Sequence, residues 1–318
     1  MSSFFVPAAS RRLVLQAGIA AGIGLLSGRA SAGASHSLPL VKKAIPSTKE
    51  MVPAVGLGTN NFDVGDPADL APRKEVLQGM PGLGGSVVDT APLYGRSEAV
   101  IGNLVSDLGN RNKLFFATKV ISRETDGSDG KASIEESFRR LRTERIDLLQ
   151  VHNLAGVEQM MPVLEELKQA KRIRYLGITT SNPAQHPQMM EFMRRYPLDF
   201  VQVDYSIDNR EVAHSVLPLA QERHIGVLIN TPLGGRRGAA SVFSRVANKP
   251  LPDWAAEIDA QSWAQVFLKY VISHPAVTCA ISGMTQLKHL DDNMRGAHGR
   301  LPDAALRERM EKYWDSNT

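Results

Sequence analysis

The stretch Ile146-Asp147-Leu148-Leu149-Gln150-Val151-His152 is a short apolar run that ends in a titratable side chain. Seven further apolar runs of similar length occur along the chain, at residues 52–58, 86–91, 113–120, 174–180, 200–205, 226–231 and 278–283. From the second run to the seventh, consecutive runs begin 26 to 33 residues apart. This spacing is about the length of one strand, one crossover helix and one turn, so it predicts consecutive parallel strands.

Helix-period segments lie between most of these runs. Ile134, Phe138 and Leu141 share one helical face. Ser133 and Glu136 have the spacing of a capping box, which predicts that this helix begins at Ser133. Eight strand–helix units closed on themselves form an α/β fold, the (β/α)8 TIM barrel, of roughly 250 residues. An open doubly wound sheet is the alternative, but no G-x-G-x-x-G follows a strand.

Two segments depart from the strand–helix repetition. Residues 40–52 contain a Pro-Ser-Thr-Lys turn signal and predict an N-terminal β-hairpin that closes one end of the barrel. The last run begins 52 residues after the run before it. Residues 234–253, which are rich in Gly, Arg, Pro and Asn, are therefore expected to form a long loop over the barrel mouth, before the last helix–strand unit.

The first 32 residues have the order of an export leader. Arg11 and Arg12 precede a small, apolar stretch, and Ala30-Ser31-Ala32 supplies a small-x-small cleavage signal. The segment resembles a twin-arginine (Tat) signal peptide, so we expect residues 1–32 to direct export to the periplasm through the Tat machinery. Residues 33–318 would then be the barrel domain. The apolar stretch is shorter than the roughly 20 residues of a spanning helix, which disfavours a permanent membrane span.

Composition narrows the function classes. The chain is 43% hydrophobic and 22% charged, which is typical of a globular protein. Its net charge of +4 falls to +1 without residues 1–32, so nucleic-acid binding has little electrostatic support. The single cysteine, Cys279, excludes intramolecular disulfides and multi-cysteine metal sites. No His-Glu-x-x-His occurs, so we expect no metal in the mechanism.

Three neighbouring strands carry titratable side chains near their carboxyl ends. Asp89, Lys119 and His152 lie at or near the ends of the second, third and fourth runs, and Tyr94 lies in the loop after the second. Barrel enzymes hold their catalytic groups there, because these strand ends converge around one mouth. A buried lysine needs a carboxylate partner, and Asp89 is the nearest candidate. A lysine cation stabilises a phenolate, which makes Tyr94 a candidate general acid, and His152 can orient a carbonyl oxygen.

Residues 89–95, Asp-Thr-Ala-Pro-Leu-Tyr-Gly, followed by Glu98, resemble the signature of the aldo-keto reductase superfamily. The resemblance covers nearly the whole chain after the leader. It implies hydride transfer from NAD(P)H to an aldehyde or ketone. It also implies that Tyr94 donates the proton, that Lys119 and Asp89 adjust the acidity of the Tyr94 hydroxyl group, and that His152 positions the substrate.

The same resemblance implies a set of cofactor-binding residues. They lie at the ends of the other strands and in the segment after the last strand: Gly58, Thr59, Thr179, Thr180, Gln202, Asn230, Pro232, Leu233, Gly283, Met284, Lys288, His289 and Asn293. Ser181 and Asn182 are the alternative to Thr179 and Thr180 if the family pattern is matched two residues further along the chain. The resemblance assigns Gln202 to the nicotinamide amide.

Three of these positions, Asn230, Gly283 and His289, depart from the family pattern, and the last two stand where many members have lysine and arginine. Asn230 stands where the family usually has an aromatic side chain that stacks on the nicotinamide. Lys288 and His289 follow the last strand and can neutralise a 2′-phosphate, so NADP(H) is favoured over NAD(H) as the cofactor.

Three asparagines, Asn60, Asn61 and Asn153, are predicted to contact the substrate, a small carbonyl compound. The first two stand where many relatives carry a large aromatic residue, which implies a more polar or wider pocket wall. Two other function classes remain open. One is a non-catalytic regulatory subunit that binds a nicotinamide cofactor, and the other is a Schiff-base lyase that uses Lys119.

Overall fold

A closed barrel of eight parallel strands forms the centre of the computed structural model, which describes residues 38–235 and 241–317. A two-stranded antiparallel hairpin, β1 (Lys42–Ala44) and β2 (Met51–Pro53), precedes it. The barrel strands are β3 (Val55–Gly58), β4 (Val87–Asp89), β5 (Phe115–Val120), β6 (Ile146–His152), β7 (Ile173–Thr179), β8 (Phe200–Asp204), β9 (Gly226–Asn230) and β10 (Cys279–Gly283). The predicted (β/α)8 TIM barrel is confirmed. The predicted leader, residues 1–32, lies outside the described residues.

Each connection between successive barrel strands contains at least one helix. In chain order the helices are α1 (Pro67–Gly79), α2 (Ser97–Leu108), α3 (Ser128–Leu141), α4 (Val157–Gln169), α5 (His186–Arg195), α6 (Val216–Glu222), α7 (Val242–Val246), α8 (Trp263–Ile272), α9 (Leu287–Arg295) and α10 (Ala304–Asn317). The strands pair in chain order, and β10 closes the barrel against β3. Because all eight strands are parallel, their carboxyl ends meet at one rim.

Local sequence fixes where the helices begin. Before α1, Asp66 accepts a hydrogen bond from the Ala68 N–H over 2.8 Å, and Pro67 takes the first helical position. The predicted start of α3 at Ser133 is wrong, because this helix begins at Ser128. Gly127, with φ +72°, provides the left-handed turn into α3, so the serine lies inside the helix.

The N-terminal hairpin closes the amino end of the barrel, as predicted. Ile45, between its strands, is fully buried and packs in one apolar cluster with residues of the barrel interior. The hydroxyl of Tyr175 donates to Glu50 Oε2 over 2.6 Å and lies 2.8 Å from Thr48 Oγ1. Arg174 also pairs with Glu50. These contacts leave the carboxyl rim as the end at which ligands enter the barrel.

Apolar side chains fill the barrel interior below the rim. The ring of Tyr175 lies 5.9 Å from that of Phe115 and 5.6 Å from that of Phe200, measured between centroids. Cys279 belongs to the same cluster and is completely buried, and burial raises the pKa of its thiol. This packed layer forms the floor of the site above it.

The long connection between β9 and β10 is only partly a loop. Within it, α7 begins after Ser241, whose Oγ accepts from the Phe243 N–H over 3.2 Å. A 3-10 helix, Asp253–Ile258, and α8 follow. The prediction of one long loop over residues 234–253 is corrected in this respect, while residues 236–240 lie outside the described residues. In the described parts of the chain, no helix is long and apolar enough to cross a membrane.

Candidate active site

A buried ion pair between β4 and β5 forms the base of the site. Lys119 Nζ donates to Asp89 Oδ1 over 2.9 Å, to Oδ2 over 2.8 Å and to the Thr90 carbonyl over 2.8 Å. Both charged side chains are at most 4% exposed. Burial alone would lower the pKa of Lys119, but the charges of Asp89 and Tyr94 outweigh it and raise that pKa. The lysine is therefore held as a cation.

Tyr94 and His152 lie above this ion pair. Lys119 Nζ is 5.2 Å from the centroid of the Tyr94 ring, and the Tyr94 and His152 rings meet edge to face with their centroids 6.1 Å apart. The structure thus brings the four residues predicted as catalytic into one cluster. The cluster draws on the ends of β4, β5 and β6 and on the loop after β4, as expected from the register of adjacent parallel strands.

The environment of His152 keeps its imidazole neutral. Burial and the nearby Lys119 cation lower the pKa of His152 to about 3. Its Nδ1 is buried and has no hydrogen-bond partner among the described residues. A neutral imidazole retains one N–H, so this side chain can donate one hydrogen bond to a ligand.

The loop that carries Tyr94 is held by two polar contacts. Asp63 Oδ1 accepts from the backbone N–H of Arg96 over 3.1 Å and from its Nε over 2.9 Å. Gly95 has φ +59°, and a Cβ there would lie 2.2 Å from Asp63 Oδ2. Glycine is therefore required directly after Tyr94. Asp63 was not among the predicted site residues, although its place in the loop after the first barrel strand was a signal in the sequence.

Glu98, in the first turn of α2, holds the carboxyl end of the same loop against β5. It is fully buried and accepts from Thr118 Oγ1 over 2.6 Å, and burial raises the pKa of its carboxyl group. Ser97 Oγ donates to the Thr59 carbonyl over 3.0 Å, which ties α2 to the end of β3. The acidic residue of the predicted signature therefore fixes the start of α2 and does not face the ligand space.

A cavity of about 650 Å³ opens over the four clustered side chains. Its lining includes fourteen of the residues predicted for catalysis, cofactor and substrate: Gly58, Thr59, Asn60, Asn61, Asp89, Tyr94, Lys119, His152, Asn153, Thr179, Asn230, Pro232, Leu233 and Gly283. It also includes Ser181 of the alternative register and eight residues that were not predicted: Asp63, Leu93, Gly95, Thr231, Gly234, Gly235, Ile281 and Ser282. Among the described residues the lining is mostly polar, and its aromatic side chains are those of Tyr94 and His152.

Six predicted cofactor residues do not line this cavity. Thr180 is buried and donates to Gln185 Oε1 over 2.5 Å. Gln202 is buried and hydrogen bonds to two other side-chain amides, and Asn293 donates to Ser282 Oγ over 2.9 Å. Met284 is fully buried. The remaining two, Lys288 and His289, are exposed in the first turn of α9.

The wall formed by the ends of β9 and β10 fits an extended dinucleotide. A Cβ built at Gly283 or Gly235 meets no atom within 4 Å, so the backbone of both residues faces open space. Hydroxyl and amide groups of Ser282, Thr231 and Asn230 line the same wall and can pair with ribose and carboxamide groups. Within the described residues, no cluster of His, Cys, Asp or Glu side chains is arranged to hold a metal ion.

Sequence comparison assigns the chain to a family. The sequence profile of the Aldo/keto reductase family matches residues 54–313, which is most of the chain and includes every barrel strand. The chain therefore belongs to the aldo/keto reductase family, whose members are oxidoreductases.

Individual relatives agree with this assignment over nearly their whole length. The uncharacterized oxidoreductase YqkF of Bacillus subtilis is 26% identical over 81% of this chain and 92% of its own. The methylglyoxal reductase YeaE of Escherichia coli is 28% identical over 80% of this chain and 89% of its own. An aldo/keto reductase from Klebsiella pneumoniae, solved with NADP and acetate, matches 86% of this chain and 96% of its own with a TM-score of 0.68 at 23% identity.

Proposed function

We propose that this protein reduces an aldehyde or ketone to an alcohol with NADPH, and that Tyr94 donates the proton. The cluster of Asp89, Lys119, Tyr94 and His152 at the floor of one cavity is the observation that carries the proposal. When bound, the nicotinamide supplies the hydride. The choice of NADPH draws support from the relative solved with NADP and from the exposed Lys288 and His289 after β10.

Each side chain of the cluster has a separate task. His152 is neutral and donates its N–H to the carbonyl oxygen, which orients the substrate beside the Tyr94 hydroxyl. Tyr94 Oη gives its proton to that oxygen as the alcohol forms. The Lys119 cation stabilises the resulting phenolate, and Asp89 holds the lysine in place and charged.

Residues of the rim would hold the two ligands. Asn60, Asn61 and Asn153 line the part of the cavity proposed for the substrate and favour a carbonyl compound with polar substituents. Thr59, Asn230, Ser282 and the backbone at Gly283 line the part proposed for the cofactor.

The geometry of Lys119 disfavours a Schiff-base lyase. A lysine that attacks a carbonyl must be a neutral amine with a free lone pair. Here three acceptors, two from Asp89 and one from Thr90, bind the three N–H groups of the ammonium, and the pKa of Lys119 is raised. The lysine is thus held in the unreactive, protonated form.

The test compares Tyr94→Phe with the native chain. We expect the variant to bind NADPH normally and to lose at least about a hundredfold in kcat, because its ring keeps the packing and lacks the proton. Consumption of NADPH with methylglyoxal and with glyceraldehyde measures turnover. Tyr196→Phe, outside the cavity, is the matched control and should keep the native rate. Turnover by Tyr94→Phe within tenfold of native would contradict the mechanism.

The same assay separates the enzyme from a non-catalytic cofactor-binding subunit. Such a subunit would bind NADPH tightly and oxidise none of it with any carbonyl compound. The separate proposal that residues 1–32 send the chain through the Tat route rests on the order of charge, apolar stretch and cleavage signal alone.

A further inference from the structure

A separate cavity lies at the amino end of the barrel, away from the candidate active site. Its volume is about 330 Å³, and it is enclosed by the N-terminal hairpin, the end of α6 and the segment before β10. We call it the amino-end pocket. Most of its wall is apolar and comes from Ala44, Pro46, Ile225, Pro275, Ala276 and Val277. No residue of the interior cluster around Ile45 lines it, so a ligand there would not enter the barrel.

The hairpin directs one lysine toward this pocket. Lys43 on β1 is the register partner of Val52 on β2, and partners on antiparallel strands point to the same face. Val52 is buried, so Lys43 lies on the face of the hairpin that packs against the barrel, and it lines the pocket. Its neighbour Lys42 is exposed and does not line the pocket.

The charge of Lys43 has no counter-charge in the protein. Among the described residues, Lys43 makes no ion pair and no side-chain hydrogen bond, and no Asp or Glu lines the pocket. Burial lowers the pKa of Lys43. The nearby His274 adds no negative charge, because burial and the cations Arg307 and Lys43 lower its pKa to about 4 and keep it neutral. An anion beside Lys43 would therefore stabilise the charged form of the lysine.

Thr278 supplies a second donor to the same pocket. The side chain is buried, and its Oγ1 accepts from the Val227 N–H over 3.0 Å. Its hydroxyl hydrogen donates to no group among the described residues and is available to a ligand. A carboxylate has two oxygens that only accept hydrogen bonds, so it matches an ammonium and a hydroxyl donor.

We propose that the amino-end pocket binds a small carboxylate with an apolar body, and that Lys43 and Thr278 donate to its carboxylate oxygens. The apolar wall favours a hydrocarbon body over an inorganic anion, which would lose water on every side without gaining donors there. The volume is near the lower limit of ligand pockets and suits a body of about one ring. The inference is independent of NADPH and of carbonyl reduction, because the pocket lies at the other end of the barrel.

Three probes test the chemistry of the pocket. Benzoate has the proposed charge and body, benzamide is its neutral counterpart, and inorganic phosphate is an anion without an apolar body. The methyl resonances of labelled Ala44 and Ala276 report binding at this pocket alone. We expect native protein to bind benzoate with a Kd of about 1 mM or lower. Benzamide and phosphate should bind at least about tenfold more weakly, because the first lacks the charge-assisted hydrogen bond and the second lacks the apolar contact.

Variants assign the binding to the two donors. Lys43→Met keeps the apolar stem without the ammonium and should weaken benzoate binding at least about tenfold. Lys42→Met is the matched control: it removes the same charge from the adjacent, exposed position of β1 and should leave the Kd within about twofold. Thr278→Val should weaken binding about threefold or more, since one hydrogen bond is lost. Thermal unfolding of each variant verifies that it is folded.

Several results would overturn the inference. They are the absence of alanine methyl shifts at about 10 mM benzoate, equal affinity for benzamide or phosphate, and a native Kd in folded Lys43→Met. Equal losses in Lys43→Met and Lys42→Met would also overturn it, because the net charge and not the pocket would then attract the anion. None of these results bears on NADPH-dependent turnover, which tests the proposed function separately.

Discussion

Asp89 determines the charge state of the candidate site. It supplies two of the three acceptors of the fully buried Lys119 ammonium, and the third is an uncharged backbone carbonyl. A buried cation without its counter-charge is costly, so the stability of the barrel and the function of the lysine both depend on this carboxylate.

The substitution Asp89→Asn should destabilise the protein by about 3 kcal/mol, because it leaves the lysine charge uncompensated in the interior. Turnover should fall at least about tenfold, since Lys119 would then lose its proton more readily and stabilise the phenolate less. Urea unfolding and NADPH consumption measure the two effects. Glu135→Gln makes the same charge change in an exposed pair with Arg172 and should alter stability by less than about 1 kcal/mol. Equal costs in the two variants would refute the argument.

His152 predicts a pH dependence of stability. Its pKa is about 3 in the folded protein and about 6.5 in an unfolded chain, so the unfolded state binds the extra proton between these values. The native protein should therefore lose about 2 kcal/mol relative to His152→Leu between pH 7 and pH 5. Urea unfolding of both proteins at each pH measures this difference. A difference that stays constant with pH would mean that the imidazole is not held neutral.

At the residue scale, sequence could predict the catalytic cluster but not the hydrogen bonds that join the side-chain amides of Gln150, Gln202 and Asn230. Asp89, Lys119 and His152 each end a recognisable strand, and adjacent parallel strands bring such ends together. Gln202 is different, because a buried amide can face a ligand or another amide, and its sequence context is the same in both cases. Its neighbours Gln150 and Asn230 are separated from it by 52 and 28 residues along the chain.

Among the elements, the N-terminal hairpin has a role in stability that is separate from the site. Ile45 seals the amino end of the barrel, at the opposite end from the cavity. Ile45→Ala should cost about 2–5 kcal/mol in urea unfolding, because it opens a void against the interior cluster, and leave NADPH affinity within twofold. Met51→Ala, at a side chain that is half exposed, should cost less than about 1 kcal/mol. Equal losses of stability in the two variants would contradict the role of Ile45 in closing the amino end of the barrel.

Helix α3 shows how a short motif can mislead. Asp129 accepts hydrogen bonds from Ser122 Oγ over 2.6 Å and from the Arg123 N–H over 2.8 Å, which anchors the start of the helix to the loop after β5. Ser133 and Glu136 have capping spacing but lie inside the helix. The motif fixes only a spacing, whereas the helix start depends on partners contributed by the preceding loop.

Alanine substitutions of Asp129 and of Ser133 test that explanation. Asp129→Ala should destabilise the protein by about 1–2 kcal/mol, because it removes the anchoring acceptor of the loop. Ser133→Ala should be neutral or slightly stabilising, since alanine is the better helix former at an interior position. Urea unfolding reports both values. If Ser133→Ala proves the more damaging change, the serine does cap a helix in solution.

For the whole molecule, the recurrence of apolar runs was enough to predict the barrel. Eight runs with intervening helices leave few topologies that are unknotted and right-handed. The long β9–β10 connection was harder to predict, because its helices are short and depend on contacts with the barrel. Trp263 in α8, for example, donates to the Lys249 carbonyl over 3.0 Å and stacks on Tyr313 of α10 with their centroids 6.1 Å apart.

The destination of the whole chain depends on its two adjacent arginines if the leader works as proposed. We expect the native protein to appear in the periplasmic fraction, and the double substitution Arg11→Lys and Arg12→Lys to retain it in the cytoplasm. Immunoblotting of cell fractions measures the distribution, and Arg29→Lys, near the end of the segment, should leave export unchanged. An unchanged distribution of the double variant would exclude the twin-arginine route.

The position of Cys279 decides how the protein responds to oxidants. Its thiol is sealed among the interior side chains, and its raised pKa keeps it from forming the thiolate that peroxide or a disulfide would attack. Since Cys279 is the only cysteine of the chain and is completely buried, no disulfide can join two copies while they remain folded. The barrel can therefore mature and persist in an oxidising or a reducing compartment without help from thiol-exchange enzymes.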